Sequence, residues 1–124
     1  MKKLNDVSYK IIGCAYKVHS ELGPGLLEST YETCLQYEIV NSGIFVERQK
    51  ELPLIYQNIR LDAGYRIDLL VERKIIVEIK SADAIAPIHK AQLMTYLKLS
   101  NCNLGLLINF NSVHLREGIQ RFIF

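Results

Sequence analysis

The sequence lacks the features that mark secreted, membrane-spanning or metal–thiolate proteins. Its three cysteines, Cys14, Cys34 and Cys102, stand far apart without a CxxC pair, so they predict neither disulfides nor a zinc or iron–sulfur site. The amino-terminal lysines are not followed by an apolar run, which argues against a signal peptide. No apolar run approaches the roughly 20 residues of a membrane span. We therefore expect a soluble, cytoplasmic protein with reduced thiols.

A strong excess of either charge is also missing. The 124 residues carry 15 basic and 13 acidic side chains, which gives a net charge of +2. This balance neither demands nor excludes a nucleic-acid partner, because strongly basic domains show a clearer electrostatic footprint. Repeats, low-complexity tracts and linkers are absent as well, and the length suits one hydrophobic core. We predict a single domain over residues 1–124.

Apolar residues at spacings of three and four predict three helices. The first runs through residues 4–22 and ends at the "LGPG" of residues 22–25. The second starts near Leu26 or Leu27 and continues to about Asn41. The third covers residues 87–100, and its predicted apolar side consists of Ile88, Ala91, Leu93, Tyr96 and Leu97.

The remaining segments favour strands. They are an extended stretch at 44–57, hairpin strands near 65–71 and 75–80, a strand at 104–110 and a last strand interrupted near Gly118. Pro53 indicates an edge position or a bulge in the first of these. The wholly apolar strand at 104–110 is typical of burial on both faces. The order α-α-β-β-β-α-β-β predicts an α/β sandwich with a central mixed sheet.

Three charged residues lie inside the predicted hairpin, where an unpaired buried charge is costly. Asp68 falls in the first strand, and Glu78 and Lys80 fall in the second. A two-residue turn would set Asp68 opposite Val77 and point Glu78 through the other face. A three-residue turn at 72–74 sets Asp68 opposite Glu78, with Lys80 on the same face. The apolar residues of the hairpin do not decide between the two registers.

Only the second register gives these charges a chemical rationale. Like charges directly opposite one another destabilise a sheet, but a cation between them is stabilising. Two carboxylates with open coordination positions suit Mg²⁺ or Mn²⁺. The alternative is that they are solvated polar residues on a half-exposed sheet. We predict the three-residue turn Glu72-Arg73-Lys74, with Lys74 in a left-handed conformation at a cost of roughly 1 kcal/mol.

Asp68 followed by Glu78-Ile79-Lys80 resembles the core motif of the PD-(D/E)xK nuclease superfamily. Ile67 stands where the proline of that motif would be. The spacing of Gln92 and Tyr96 is similar to the QxxxY signature of the RecB-like branch, and on a helix these two side chains share a face.

The stretch "GPGLLESTYE" adds a further resemblance, because it contains Gly25-x-x-Glu28-x-x-Tyr31. This pattern resembles the motif that names the GxxExxY proteins, small prokaryotic members of the same superfamily. Each motif alone is weak, but their order and spacing together cover nearly the whole chain. The resemblance implies a single-domain, restriction-endonuclease-like fold.

The resemblance also implies a site. Asp68 and Glu78 would be metal ligands beside the backbone carbonyl of Ile79, with Mg²⁺ or Mn²⁺ as the cofactor. Glu28 would come from the second helix as a further acidic ligand or a group behind the ligands. Lys80 would position the attacking water or stabilise developing charge. The remaining pair, Gln92 and Tyr96, would contact substrate or support the structure.

Other polar residues have simpler interpretations. His19 is either a ligand from the amino-terminal region or, as we prefer, a helix-end residue that interacts with the helix dipole. Tyr31 is expected in the core, and Glu32, one turn after Glu28, is expected in solvent. The remaining histidines, His89 and His114, have no partner that the sequence identifies.

The predicted function is metal-dependent hydrolysis of phosphodiester bonds, with DNA favoured over RNA. The alternative is a non-catalytic module that binds nucleic acid or protein and keeps the nuclease fold. Such a module would contact phosphates through a rim of six basic residues: Arg48, Lys50, Arg60, Arg66, Arg73 and Lys74. In either case the apolar "RFIF" at residues 121–124, on an expected edge strand, favours a homodimer. No membrane partner is expected.

Overall fold

The regular elements are three α-helices, seven β-strands and one 3₁₀ helix within residues 2–124, which the computed structural model describes. The helices are α1 (Lys2–Leu22), α2 (Glu28–Asn41) and α3 (Pro87–Ser100). The strands are β1 (Val46–Glu51), β2 (Leu54–Tyr56), β3 (Ile59–Leu61), β4 (Arg66–Val71), β5 (Ile75–Lys80), β6 (Leu104–Asn109) and β7 (Ile119–Ile123). The 3₁₀ helix covers Leu115–Gly118 and leads directly into β7.

The three predicted helices are present, and the ends of α1 and α3 agree closely with the prediction. α1 ends at Leu22, and the next residue, Gly23, takes φ +71° and donates its N–H to the carbonyl of His19 at 2.7 Å. The predicted apolar side of α3 is wrong in part. Ile88 and Ala91 are exposed, and the buried residues are Leu93, Tyr96 and Leu97. None of the described helices combines the length and apolarity needed to cross a bilayer.

The central sheet is mixed, as predicted. Its strand order is β1-β4-β5-β6-β7, with β5 and β6 parallel and the other neighbours antiparallel. The predicted extended stretch at 44–57 is divided at Leu52–Pro53, because proline has no N–H for a ladder. The residues beyond it form a separate ribbon of β2 and β3, two short strands that the predicted order lacks.

Helices cover both faces of the sheet. α1 and α2 pack on one face through a core that includes Ile11, Leu35 and Ile39. α3 packs on the other face through Leu93 and Leu97. β6 lies in the interior, and all six of its residues are buried, which confirms the prediction for this strand. The result is a three-layer α/β arrangement with an apolar cluster on each face of the sheet.

The loop between α1 and α2 is fastened by Tyr31. Its ring is fully buried and stacks on Phe110 at 4.6 Å between centroids, which confirms the predicted core position. Its hydroxyl donates to the carbonyl of Gly23 at 2.6 Å and accepts from the N–H of Leu26 at 3.1 Å. The carbonyl of Leu26 in turn accepts from the Ser81 hydroxyl at 2.6 Å. The loop therefore fixes the chain just after β5.

Asn109, at the end of β6, holds the same segment from the opposite side. It pairs with Lys80 in the parallel ladder, and its side chain exchanges two hydrogen bonds with the backbone of Ala82, at 3.1 and 2.9 Å. Gly118 lies against the carbonyl of Asn109, and a Cβ at this glycine would overlap that oxygen and the hydroxyl of Ser112. Close backbone approach therefore requires glycine at this position.

We predict that Gly118→Ala lowers the free energy of unfolding by about 1–3 kcal/mol, because the added methyl group meets backbone that cannot move aside freely. The matched control is Gly13→Ala in α1, where a Cβ has no neighbour within 4 Å. That change should raise stability by about 0.5–1 kcal/mol. Urea denaturation of both variants measures the difference, and equal effects would contradict the close packing at Gly118.

Candidate metal centre

The turn between β4 and β5 has the predicted three residues. Val71 pairs with Ile75 and Leu69 pairs with Val77, so the register that aligns Asp68 with Glu78 is confirmed. The backbone pairing of β4 with β5 extends from Val71–Ile75 to Leu69–Val77 and stops there.

The predicted left-handed conformation of Lys74 is wrong. Positive φ angles occur instead at Glu72 (+52°) and Arg73 (+56°). The N–H of Lys74 donates to the carbonyl of Val71 at 3.0 Å, and this bond closes a tight turn around Glu72 and Arg73. Both strained residues have compensating contacts with Phe45. The Glu72 carboxylate accepts the Phe45 N–H at 2.7 Å, and the Arg73 guanidinium lies over the ring.

Where the backbone ladder ends, the two carboxylates replace it. The N–H of Asp68 donates to Oε2 of Glu78 at 2.9 Å, and the N–H of Ile79 donates to Oδ2 of Asp68 at 2.8 Å. Strict alternation also fails here. Ile67 packs in the cluster of Leu70, on the α3 side of the sheet, although it is an odd number of residues away.

Burial makes this carboxylate pair electrostatically unfavourable. Glu78 is only 4% exposed, and its burial, followed by the charge of Asp68, raises its pKa to about 8. Burial also raises the pKa of Asp68, and the charge of Glu32 adds to that effect. The ammonium of Lys80 lowers both pKa values but does not offset these increases. Within residues 2–124, Lys80 forms no ion pair at 4.0 Å or less, so its charge stays available to the site.

The donor chemistry fits a hard divalent cation. Two desolvated carboxylates provide anionic oxygens, and the cation would relieve their repulsion. Among the described residues, no three side chains of His, Cys, Asp or Glu come close enough together to hold an ion alone. The side chains of the pair would therefore be supplemented by a backbone carbonyl, such as that of Ile79, and by water. Mg²⁺, which usually keeps several waters, suits such a set.

Glu28 and Glu32, two of the three glutamates of α2, have different surroundings. Glu28 is exposed. Its Oε2 accepts the N–H of Ser81, the residue directly after Lys80, at 3.2 Å. The expectation that Glu32 is solvated is wrong. It is 6% exposed and accepts Arg48 Nε at 2.6 Å and Gln49 Nε2 at 2.8 Å. The spacing of Glu32 from Glu28 indicated that they share a helix face. The sequence did not indicate that Arg48 and Gln49 of β1 would contact Glu32.

Gln49 is a site residue that the sequence did not indicate. Its Nε2 also donates to Oδ1 of Asp68 at 3.2 Å, so it connects the candidate ligand on β4 with Glu32 on α2. No sequence motif contains this residue. Its backbone φ of +51° is unusual for a residue within β1.

Gln92 and Tyr96 lie on the α3 side of the site. Tyr96 is buried, and burial followed by the charges of Glu78 and Asp68 raises the pKa of its hydroxyl. Both residues line a cleft of about 390 Å³, which is completed by Leu54, Tyr65, Ile88, Ala91, Thr95 and Leu99. Tyr65 packs edge-on against Tyr96 at 6.5 Å between ring centroids. No sequence motif indicated that Tyr65 belongs to this cleft.

The remaining candidates have structural contacts. Nε2 of His19 lies 2.8 Å from the carbonyl of Ser112, and this contact joins α1 to the loop after β6. Nδ1 of His89 accepts the N–H of Ala86 at the start of α3. All three cysteines are free thiols, and no disulfide joins any two of them.

The predicted basic rim is largely neutralised. Four of its six members form ion pairs: Arg48 with Glu32, Lys50 with Glu47, Arg60 with Asp62, and Arg66 with Glu51. Arg73 and Lys74 lie in the β4–β5 turn, at the opposite end of β5 from Lys80. These residues therefore do not form one unpaired cationic rim beside the carboxylates.

Three helices packed on a five-stranded mixed sheet, with a carboxylate pair and a lysine where two strands separate, define a restriction-endonuclease-like α/β domain. The family model of the PD-(D/E)XK nuclease superfamily matches residues 5–122, and the chain belongs to that superfamily. No curated protein and no solved structure gives a significant match. Nucleases of this superfamily generally use divalent metal ions, and a nuclease implies a nucleic-acid substrate.

The raised pKa of Glu78 predicts a pH-dependent stability without metal. The folded protein keeps this proton up to a pH of about 8, whereas an ordinary glutamate releases it near 4.5. The folded state therefore binds more protons in this window, and stability falls as pH rises through it. In the presence of a chelator, the unfolding temperature should decrease across this range. Mn²⁺ should reverse the decrease at the alkaline end.

Glu78→Gln should flatten this pH profile, because the variant has no proton to release at that position. The control is Glu117→Gln, which removes an exposed carboxylate and should keep the native profile. A native profile in Glu78→Gln would contradict the assignment of the raised pKa to this residue.

Proposed function

We propose that this protein is a Mg²⁺- or Mn²⁺-dependent nuclease that hydrolyses phosphodiester bonds, with DNA as its preferred substrate over RNA. The observation that carries this proposal is the reciprocal bonding of Asp68 and Glu78 where β4 and β5 separate, with Lys80 beside it. Asp68, Glu78 and the carbonyl of Ile79 would hold the ion. Glu28, anchored at Ser81, would add an acidic ligand or orient the strand end.

The residues of this chain would divide the reaction between them. The bound cation supplies Lewis-acid activation of the scissile phosphate and of the attacking water. The ammonium of Lys80 would orient that water or stabilise the charge that develops on the phosphoryl oxygens. Gln92 and Tyr96 would contact the substrate from the cleft on the α3 side.

We also propose that the chain belongs to the GxxExxY group of small prokaryotic members. The conformation of Gly25 and the contacts of Glu28 and Tyr31 support this assignment, because each of these motif residues has a distinct structural role. Gly25 takes φ +98°, which few residues other than glycine adopt. Glu28 binds the backbone of Ser81, and Tyr31 fastens the loop that contains the glycine.

The non-catalytic module has less support. It depended on six basic residues that would bind phosphates, and four of them are paired with carboxylates. A binding module also has no need for a buried pair of like charges, which lowers its stability unless a cation is bound. Stabilisation by metal without any cleavage would favour this alternative over the nuclease.

We predict that Lys80→Ala lowers the rate of metal-dependent DNA cleavage by about 10²–10⁴-fold, the range expected when a positioned proton-transfer or charge-stabilising group is removed. Affinity for Mn²⁺ should be retained, because Lys80 is not a ligand. The measurement is cleavage of single- and double-stranded DNA and RNA, with and without chelator. The matched control is Lys74→Ala, an exposed lysine in the turn of the same hairpin.

Glu78→Ala serves as the complementary variant in this test. It should abolish both cleavage and the stabilisation of the fold by Mg²⁺ or Mn²⁺. Cleavage that persists in chelator, or at the native rate in Lys80→Ala, would contradict the proposed chemistry.

We propose in addition that two copies pair through β7. This strand is at the edge of the sheet, and Ile123 and Phe124 are 57% and 54% exposed. An apolar edge strand with free backbone groups favours pairing with another chain. Sedimentation should show a dimer that Ile123→Lys converts to a monomer. The control is Ile55→Lys, which changes an isoleucine 63% exposed on β2 and should leave the dimer intact.

A further inference from the structure

Gln49 has an unusual backbone conformation for a strand residue. Its φ is +51°, although it lies within β1, where extended angles are the rule. The pairing of β1 with β4 keeps the same register on both sides, from Arg48–Leu69 to Lys50–Ile67. The irregularity is therefore confined to the residue opposite Asp68. Left-handed angles are unfavourable for side chains with a Cβ and persist where surrounding contacts impose them.

The side chain of Gln49 makes the contacts that accompany this conformation. Its Nε2 donates to Oε1 of Glu32 at 2.8 Å and to Oδ1 of Asp68 at 3.2 Å. A primary amide has two N–H donors, and both acceptors here are carboxylates. The amide nitrogen is therefore the atom that suits this position, because the amide oxygen would face two anionic oxygens.

Each end of this link is held by a further group. Oε2 of Glu32 accepts Arg48 Nε at 2.6 Å, so the glutamate is fixed from both sides. Oδ2 of Asp68 accepts the N–H of Ile79 at 2.8 Å, while Oδ1 accepts Gln49. Both oxygens of Asp68 thus have a donor, and the direction of the carboxylate is set by β1 on one side and β5 on the other.

The amide suits this task better than a charged donor would. A lysine or arginine between Asp68 and Glu32 would neutralise the charge that a cation needs. The neutral amide satisfies one lone pair of each carboxylate and leaves the charge of Asp68 unpaired, whereas Glu32 already has Arg48 as its cationic partner.

We infer that Gln49 is a positioning residue, which fixes the carboxylate of Asp68 by tying it to Glu32 and Arg48. This inference rests on the proposed metal-dependent function for its consequence, since groups that orient a ligand typically change metal affinity by about 10–100-fold when removed. Gln49 itself is not a ligand, because its nitrogen faces the carboxylates.

The test compares two glutamines with the same backbone conformation. Gln57, in the turn between β2 and β3, takes φ +53° and is exposed. Gln49→Met and Gln57→Met both keep the side-chain length and the backbone strain, but only the first loses the two donors to carboxylates. Electron paramagnetic resonance of free Mn²⁺ measures the affinity of each variant. We expect a loss of about 10–100-fold in Gln49→Met and native affinity in Gln57→Met.

A second measurement works without metal. Unfolding temperatures in chelator are compared for Gln49→Met, Asp68→Ala, which removes the acceptor, and the double variant. If the link exists, the double variant loses less than the two single losses combined, because the second change removes a bond that is already broken. Additive losses would overturn the inference.

The outcomes separate this inference from the proposed function. Native Mn²⁺ affinity in Gln49→Met overturns the positioning role and leaves the metal site standing. A native protein that binds no Mn²⁺ contradicts the proposed function, and the chelator cycle then decides whether Gln49 holds Asp68. Tighter binding in Gln49→Met also overturns the inference, because it would mean that the amide competes with the ion.

Discussion

The repulsion between two buried carboxylates is the constraint on which the rest of this structure depends. Asp68 and Glu78 are brought together where a regular hairpin would continue its backbone ladder, and each accepts an N–H from the opposite strand. Those two bonds satisfy the backbone donors, and without metal the like charges are avoided only because Glu78 keeps its proton up to a pH of about 8. Burial then keeps the electrostatic cost high, as the raised pKa of Glu78 shows. The fold tolerates this pair because the surrounding elements fix it from several sides.

Among the described residues, five other than glycine have a positive φ, and three of them lie in β1 or in the β4–β5 turn. Left-handed residues occur at Gln49, opposite Asp68, and at Glu72 and Arg73, in the turn that sets the register. In each case side-chain contacts accompany the unfavourable angle, through carboxylates for Gln49 and through Phe45 for the turn. Natural proteins concentrate such conformations where geometry matters more than local stability. The glycines of the α1–α2 loop accommodate their positive φ angles without that cost.

Much of the fold could be predicted from the sequence because its signals are local. Helical spacing located α1, α2 and α3, and the uninterrupted apolar run located β6. The apolar side of α3 was misjudged, since Ile88 is apolar but lies on the exposed wall of a cleft. The ribbon of β2 and β3 was missed because strands of three residues have too few positions to show alternation.

The candidate site was predictable only where its members lie in short motifs. Counting along the hairpin left two registers open for Asp68, Glu78 and Lys80. The three-residue turn, which the structure contains, was chosen because only it sets Asp68 opposite Glu78. Glu32 was assigned to solvent because its partners, Arg48 and Gln49, are distant in sequence and no spacing rule connects a helix to a strand edge. The strained angle at Gln49 is likewise invisible in the sequence, since glutamine carries no conformational signature.

The hydrogen bonds that assemble this region have a consequence for the order of folding. They join residues far apart along the chain, from Leu26 to Ser81 and from His19 to Ser112, which are 55 and 93 positions apart. Contacts of such separation form slowly, because the entropy of closing a long loop is lost before the contact stabilises anything. Partly folded chains would therefore have helices and the β4–β5 hairpin before they have an ordered cluster of acidic groups. The proposed binding of a cation would then report on completion of the whole domain.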